Sequence, residues 1–445
     1  MHLGFLPPFS PGHLYPTLTL ARELQRRGHG AVFFVDPAME AEVADIGVEV
    51  CALSKELLPA GRTSQWHRDL AGLTGTEATC FTMRMLAEFS RDIIADGERI
   101  LLESHVDALV LDALWHNLDI VATHLGIPYV HINCALHGDM TGVTPFFSYD
   151  WPYESGPRAF DRNVHGLRQL DLCFAPMRDC LQDYAEKVHL PIDLRSPDAL
   201  HSKLAQITQT PRDFDFPGDH WPAHFHYTGP WHDPASRPAI DFPWERLTGE
   251  PLIYASMGTL MNGSPSVFQT LIAAAEAPGR QLVVSTGTSL SPADLVPTSD
   301  STILVSKAPQ LELLDRASLC ITHAGLNTVL ESLSRGVPMV CVPVALDQPG
   351  VAARVARTET GVFLPVGDLT RERLRAAIDA VMGTSLYRVN AGRFKTLIGQ
   401  ADGTALAAGI IEQALSGHLD RRSSTQDFSM NALPGRSRYS QEAFC

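Results

Sequence analysis

Apolar runs of four or five residues alternate with helix-period segments along almost the whole chain, in two successive series separated by a proline-rich stretch. In the first series the strand-like runs are residues 3–6, 31–35, 48–52, 108–111, 129–133 and 205–208; in the second they are 252–256, 282–286, 302–305, 319–322, 339–343 and 361–364. Strands that read as continuous apolar runs are buried on both faces, and helical segments between them must cover those faces, so each series predicts a parallel sheet inside a layer of helices. Between the first two runs an apolar stripe at Leu14, Leu18, Ala21 and Leu24 predicts a helix, with Gly28 in the place of its C-cap.

A chain of 445 residues exceeds what one hydrophobic core serves. The expectation is therefore an α/β protein of two Rossmann-like domains facing each other across a cleft: residues 1–228, a linker at 229–247, and residues 248–419. The linker has no periodicity and is rich in proline, and residues 420–445 turn polar and Ser/Arg-rich and read as a mobile tail. Open parallel sheets bind ligands beyond the carboxyl ends of their strands, which here places a site in the cleft. The first strand is not followed by G-x-G-x-x-G, so the N-terminal half carries no dinucleotide fingerprint.

Composition narrows the partners. Lys+Arg 35 against Asp+Glu 50 gives a formal charge of −15, which repels nucleic acid and anionic lipid. The start of the chain lacks a basic residue before its first apolar run, and that run is cut by Pro7-Pro8, so no secretory signal is legible. With no apolar stretch of about 18 residues either, a cytoplasmic protein is expected, and any membrane contact would be peripheral. The eight cysteines (Cys51, Cys80, Cys134, Cys173, Cys180, Cys320, Cys341 and Cys445) form no C-x-x-C and read as reduced core residues rather than disulfides or zinc ligands.

The chemistry concentrates in Ile321-Thr322-His323-Ala324-Gly325-Leu326-Asn327-Thr328-Val329-Leu330-Glu331, followed by Asp347-Gln348-Pro349. A strand ends at a His, passes a Gly and opens a helix, so backbone N–H groups and the positive helix end face whatever binds there: an anion site. Glu331, on the same helical face as Asn327, can reach ribose hydroxyls, and Asp347-Gln348 can read sugar hydroxyls, which together fit a nucleotide-sugar donor. Asp347 also reads as a helix cap.

This pattern, H-x-G-x-N-[ST]-x-x-E then D-Q, with Pro309-Gln310 upstream, resembles the donor-binding signature of the family-1 UDP-glycosyltransferases. Within that family the stretches Tyr254-Ala255-Ser256-Met257-Gly258-Thr259-Leu260 and Gly403-Thr404-Ala405-Leu406-Ala407-Ala408 are most similar to bacterial carotenoid (zeaxanthin) glucosyltransferases, alongside macrolide-type enzymes. The resemblance implies the GT-B arrangement and transfer of a hexose, glucose above all, from a UDP-sugar to a hydroxyl of an apolar small molecule, with inversion and without a metal or other cofactor. It implies diphosphate contacts from His323, Gly325, Asn327, Thr328, Ser256 and Gly258; ribose and base contacts from Glu331, Gln310, Ala308 and Ser306; and sugar contacts from Asp347 and Gln348. Lys307 stands where relatives often carry an aromatic residue for stacking on uracil, which leaves a dTDP-sugar as an alternative donor.

Pro11-Gly12-His13-Leu14-Tyr15-Pro16, between the first strand and first helix, resembles the segment that carries the family's catalytic base. A histidine hanging there over the cleft has the near-neutral pKa needed to take a proton from an acceptor hydroxyl. Asp112, closing a buried strand, is the candidate partner that fixes its tautomer, with a turn-forming or capping role as the other reading. Trp115, Phe146 and Phe147 are candidate acceptor-pocket residues, since they follow N-terminal strands. Asp213-Phe214-Asp215 matches the D-x-D of metal-dependent transferases but is read as a loop. Two other functions stay open: a nucleotide-sugar epimerase of the same fold, and a nucleotide-sugar-binding protein without turnover.

Overall fold

The computed structural model describes residues 1–430 apart from Pro197. Its first sheet contains seven parallel strands, β1 (His2–Leu6), β2 (Gly30–Val35), β3 (Glu49–Ala52), β4 (Ala108–Asp112), β5 (Tyr129–Asn133), β6 (Gln206–Thr208) and β7 (Phe225–Tyr227), in the order β3-β2-β1-β4-β5-β6-β7. The second contains six, β8 (Leu252–Ser256), β9 (Gln281–Ser285), β10 (Ile303–Val305), β11 (Ala317–Thr322), β12 (Met339–Cys341) and β13 (Gly361–Phe363), in the order β10-β9-β8-β11-β12-β13. In both sheets the order reverses beside the first strand of the series, and that switch point opens a crevice at the strands' carboxyl ends. The strand β7 was not anticipated: Phe-His-Tyr is too short for a periodicity signal, and pairing with β6 makes it a strand.

Helices α1 (Pro11–Arg26), α2 (Glu40–Ala44), α3 (Arg62–Leu70), α4 (Gly75–Glu103), α5 (Leu118–Leu125) and α6 (Pro157–Lys187) accompany the first sheet. The second is accompanied by α7 (Pro265–Ala275), α8 (Gln310–Leu314), α9 (Leu326–Arg335), α10 (Gln348–Arg357), α11 (Arg371–Gly383) and α12 (Ser385–Gly399). The stripe Leu14, Leu18, Ala21 and Leu24 is fully buried under β1, and Gly28 follows α1 with φ +92°. Pro11 stands in the first turn of α1, so His13 belongs to the helix rather than to the preceding loop as expected from sequence.

The last helix, α13 (Gly403–Met430), returns to the N-terminal sheet. Ala407, Ala408, Ile411 and Leu415 join Leu3, Phe5, Leu14 and Leu18 in one apolar cluster, and Glu412 receives Arg27 at 2.8 Å and His29 at 2.9 Å. Residues beyond 400, assigned by sequence to the second domain, thus complete the core of the first. Helical backbone also continues through residues 420–430, where a tail was expected; 431–445 lie outside the described residues.

One expectation about the cysteines is overturned: Cys80 on α4 and Cys173 on α6 form a disulfide, with Cα atoms 4.4 Å apart. The two long helices pack along each other and bring together residues 93 apart in sequence, a proximity that spacing alone does not reveal. Among the described residues Cys51, Cys134, Cys180, Cys320 and Cys341 are free thiols. No described helix is long and apolar enough to cross a membrane.

Candidate active site

The first half of the site is built at the start of α1. His13 Nδ1 lies 2.7 Å from Asp112 Oδ2, and their side chains are 15% and 1% exposed. Because a carboxylate can only accept, Nδ1 carries the proton and Nε2 keeps a free lone pair. Asp112 Oδ1 accepts from the Leu114 N–H at 2.9 Å, so the turn-forming role and the support of His13 coexist, one on each oxygen. Burial pulls the His13 pKa down, but the charge and hydrogen bond of Asp112, with Asp347 behind it, outweigh burial and leave it raised. Burial raises Asp112 in turn; His13 and the Leu114 N–H reverse this and hold it below the ordinary carboxylate range.

The second half is the N-terminus of α9. Thr322 ends β11, Ala324 adopts a left-handed φ of +66°, and α9 begins after Gly325 with no side chain capping it. Its first N–H groups therefore remain available to an anionic ligand. A Cβ on Gly258 would sit 2.4 Å from the His323 ring and one on Gly325 2.5 Å from it, so both glycines are sterically required. Enclosure lowers the His323 pKa to about 4, against the opposing hydrogen bond of the Ser256 backbone. At neutral pH this histidine is an uncharged hydrogen-bonding group, and positive character at this end of the site comes from the helix terminus.

The two halves touch through a device written in the sequence but not read from it. Pro16 has no N–H, so the Gly12 carbonyl four residues earlier loses its helical partner. Asn327 Nδ2 donates to that carbonyl at 2.6 Å, and Asn327 Oδ1 accepts from Gln209 Nε2 at 2.7 Å. Asp347 follows the same pattern. It makes no side-chain cap on α10, contrary to the expectation from sequence, and instead accepts from the Leu136 N–H of the opposite domain at 3.0 Å. The neighbouring Gln348 accepts from the Val344 and Ala345 N–H groups, turning the chain after β12.

Glu331 is 1% exposed at the side chain and engaged at both oxygens. Gln310 Nε2 donates to Oε2 at 2.6 Å and reaches Thr328 Oγ1 at 3.3 Å, while Arg237 donates to Oε1. Ser306 and Lys307 are exposed and Ala308 is buried at the entry to α8. Ser256 closes β8, its hydroxyl accepting from the Gly258 N–H at 3.3 Å. Trp115, Phe146 and Phe147 are packed in the core: the Trp115 indole donates to Ser90 and to the Leu86 carbonyl, and the two Phe rings lie 4.1 Å apart. Asp215 of the D-x-D sequence is buried against Arg354 of α10 at 2.8 Å, His137 at 2.9 Å and Tyr227 at 2.6 Å. It is an interdomain tie, and its acceptor sites are filled.

Sequence reasoning missed Gln209, His232, Arg237 and Cys134, each contributed by a segment remote from the motifs, and Arg354, which follows Asp347-Gln348 on α10. Two groups of side chains among the described residues have metal-ligand chemistry: His13, Asp112 and Cys134, and His116, Asp119 and His131. In the second, the Ser202 N–H donates to His131 Nδ1 at 3.2 Å, so the proton of neutral His131 sits on Nε2 and occupies the would-be ligand atom.

Two parallel-sheet domains with an uncapped helix terminus on one and a His–Asp dyad on the other have the arrangement of a GT-B glycosyltransferase. A family model described as UDP-glucoronosyl and UDP-glucosyl transferase matches residues 76–400, and the chain belongs to that family. The chain is 30% identical to zeaxanthin glucosyltransferase of Pseudescherichia vulneris, over 94% of its own length and 98% of that protein. It is 26% identical to demethyllactenocin mycarosyltransferase of Streptomyces fradiae, over 93% and 87% respectively. Among solved structures, the glycotransferase of kitacinnamycin superposes with a TM-score of 0.72 at 23% identity, covering 93% of this chain and 98% of that one. The calicheamicin glycosyltransferase CalG4 superposes with 0.68 at 22% identity, covering 93% and 98%.

Proposed function

We propose that this glycosyltransferase moves a hexose, glucose first among the candidates, from a UDP-sugar to a hydroxyl of an apolar small molecule, with inversion and without a metal. The observation that carries the reading is the His13–Asp112 dyad placed against the uncapped start of α9 by the Asn327–Gly12 contact. Asp112 keeps the Nδ1 proton in place, and His13 Nε2 takes the proton of the acceptor hydroxyl. The oxygen's electron pair forms the new bond to the anomeric carbon as the bond to the diphosphate oxygen breaks. The departing electron pair settles on the diphosphate, where the α9 N–H groups and its helix dipole meet the growing charge.

An apolar acceptor is supported by a cavity of about 400 Å3 in which Val143, Tyr153, Pro157 and Phe160 line the wall together with Glu154, Ser155 and Asp161. Val143 and Phe160 remain 37% and 46% exposed there, as does Met140 nearby at 40%. The names of relatives, zeaxanthin glucosyltransferase above all, point the same way. The test is mass-spectrometric product detection with UDP-glucose and a panel comprising zeaxanthin, a flavonol and a macrolide, with and without EDTA. A gain of one hexose that survives chelation is the expected result; a product that forms only with added magnesium refutes metal independence, and turnover only with a dTDP-sugar refutes the donor.

A further inference from the structure

The linker between the two sheets does more than connect them. His232 and Arg237, both from this stretch, converge on Glu331 in α9, nearly a hundred residues away in sequence. Arg237 donates to Glu331 Oε1, and its guanidinium lies 5.7 Å from the Tyr15 ring on α1. Arg237 thus stands where linker, acceptor-side helix and donor-side helix meet. His232 Nδ1 is 3.8 Å from the same carboxylate oxygen, and its Nε2 is buried without a partner. Burial lowers the His232 pKa to about 4, so Arg237 supplies the positive charge that Glu331 faces from the linker.

Glu331 is 1% exposed and Arg237 22%, which makes the arginine the outer member of the pair. A ribose hydroxyl that approaches Glu331 Oε1 from the solvent side meets the guanidinium and competes with it for that oxygen. A buried carboxylate stripped of its cation is strongly disfavoured, so the arginine serves as its counter-charge while no nucleotide is bound. Once replaced, the guanidinium remains beside the next feature of the same helix. Glu331 is the sixth residue of α9, and its first residue, Leu326, is about 7.5 Å away at 1.5 Å per residue. A long, flexible arginine spans that distance, and its planar fork suits a phosphate better than any other side chain does.

We propose that Arg237 is a donor-binding residue supplied by the linker, which exchanges Glu331 for the nucleotide's diphosphate when the ribose hydroxyls reach Glu331. This rests on the reading of Glu331 as the ribose contact. The exchange ties the linker to the donor, so that nucleotide binding bridges the segment joining the two domains to the helix that holds the phosphates.

The test is calorimetric binding of uridine and of UDP to the full chain, comparing wild type with Arg237→Gln, which retains a hydrogen bond to Glu331 but carries no charge for phosphate. The ratio of uridine Kd to UDP Kd should fall about tenfold to a hundredfold in the variant, the range expected for losing a charge-assisted hydrogen bond. Arg237→Lys should restore part of the ratio. A variant that binds both ligands more weakly or more tightly by the same factor overturns the proposal, because a residue that only covers Glu331 cannot distinguish them. Glu331→Gln separates the two readings. If it leaves uridine binding unchanged, the ribose assignment itself fails; if it weakens uridine while Arg237→Gln leaves the ratio intact, only the exchange fails.

Discussion

Replacing Asp112 by Asn removes one negative charge and almost no volume, which makes it the sharpest test of the proposed base. The pair it breaks is a 2.7 Å hydrogen bond between side chains 15% and 1% exposed, where solvent screening is weak. The amide can turn its NH2 toward His13 Nδ1 and select the tautomer with the proton on Nε2, the nitrogen that has to accept. A correctly placed general base is worth roughly 10²–10⁴ in rate, and a wrong tautomer can remove nearly all of it, so kcat should fall by that factor, about 3–5 kcal/mol of transition-state stabilisation. Because His13 accepts a proton only when neutral, kcat/KM is lost as pH drops through its pKa. Asp112 holds that pKa above the ordinary histidine value, and without it burial dominates, so the residual acid limb should move to lower pH. Initial rates across pH 5 to 9, with UDP affinity measured alongside, provide the assay. A fall of less than about threefold, or an acid limb displaced upward, would refute the dyad.

Gly258→Ala places a methyl group 2.4 Å from the His323 ring at a φ of +76°, and should abolish UDP-induced thermal stabilisation while the first domain stays folded; unaltered stabilisation would show that this loop lies outside the donor site. Arg354→Met leaves Asp215 in the domain interface without its guanidinium partner, and urea unfolding should report a loss of about 3–5 kcal/mol; a change below about 1 kcal/mol would mean that His137 and Tyr227 suffice. The Cys80–Cys173 bond closes a segment of 93 residues, so Cys80→Ser should cost up to about 4–5 kcal/mol and lower Tm. Titration of all eight cysteines as thiols in denatured, unreduced protein would refute the pairing.

The fold was legible because its signals are local. Twelve of the thirteen strands appear as apolar runs, and the stripe at Leu14, Leu18, Ala21 and Leu24 lies buried as its period requires. The succession of β11, turn and α9 was equally legible, because a strand, a turn and a helix start placed in succession leave backbone N–H groups pointing one way whatever surrounds them. His13 was nominated through the resemblance of Pro11-Gly12-His13-Leu14-Tyr15-Pro16 to the family's base segment, and Asp112 from its place at a strand end; that His13 stands inside α1 was not legible.

What no local pattern contains is which distant segments meet. The Asn327–Gly12 contact depends on Pro16 vacating a carbonyl in one domain and on an amide arriving from the other. The turn of Asp347 toward Leu136, the closure of Cys80 on Cys173 and the approach of Arg237 to Glu331 depend likewise on how separate elements pack. The sequence by itself determined two parallel α/β sheets, a helix start directly after a strand and turn, and the residue types available for proton transfer, the first two set by backbone sterics and hydrophobic period over neighbouring residues. Tertiary structure alone decided that α13 completes the first core, that His323 is uncharged and that the linker reaches α9, because burial and long-range pairing fix a side chain's charge and partners only after the chain has closed on itself.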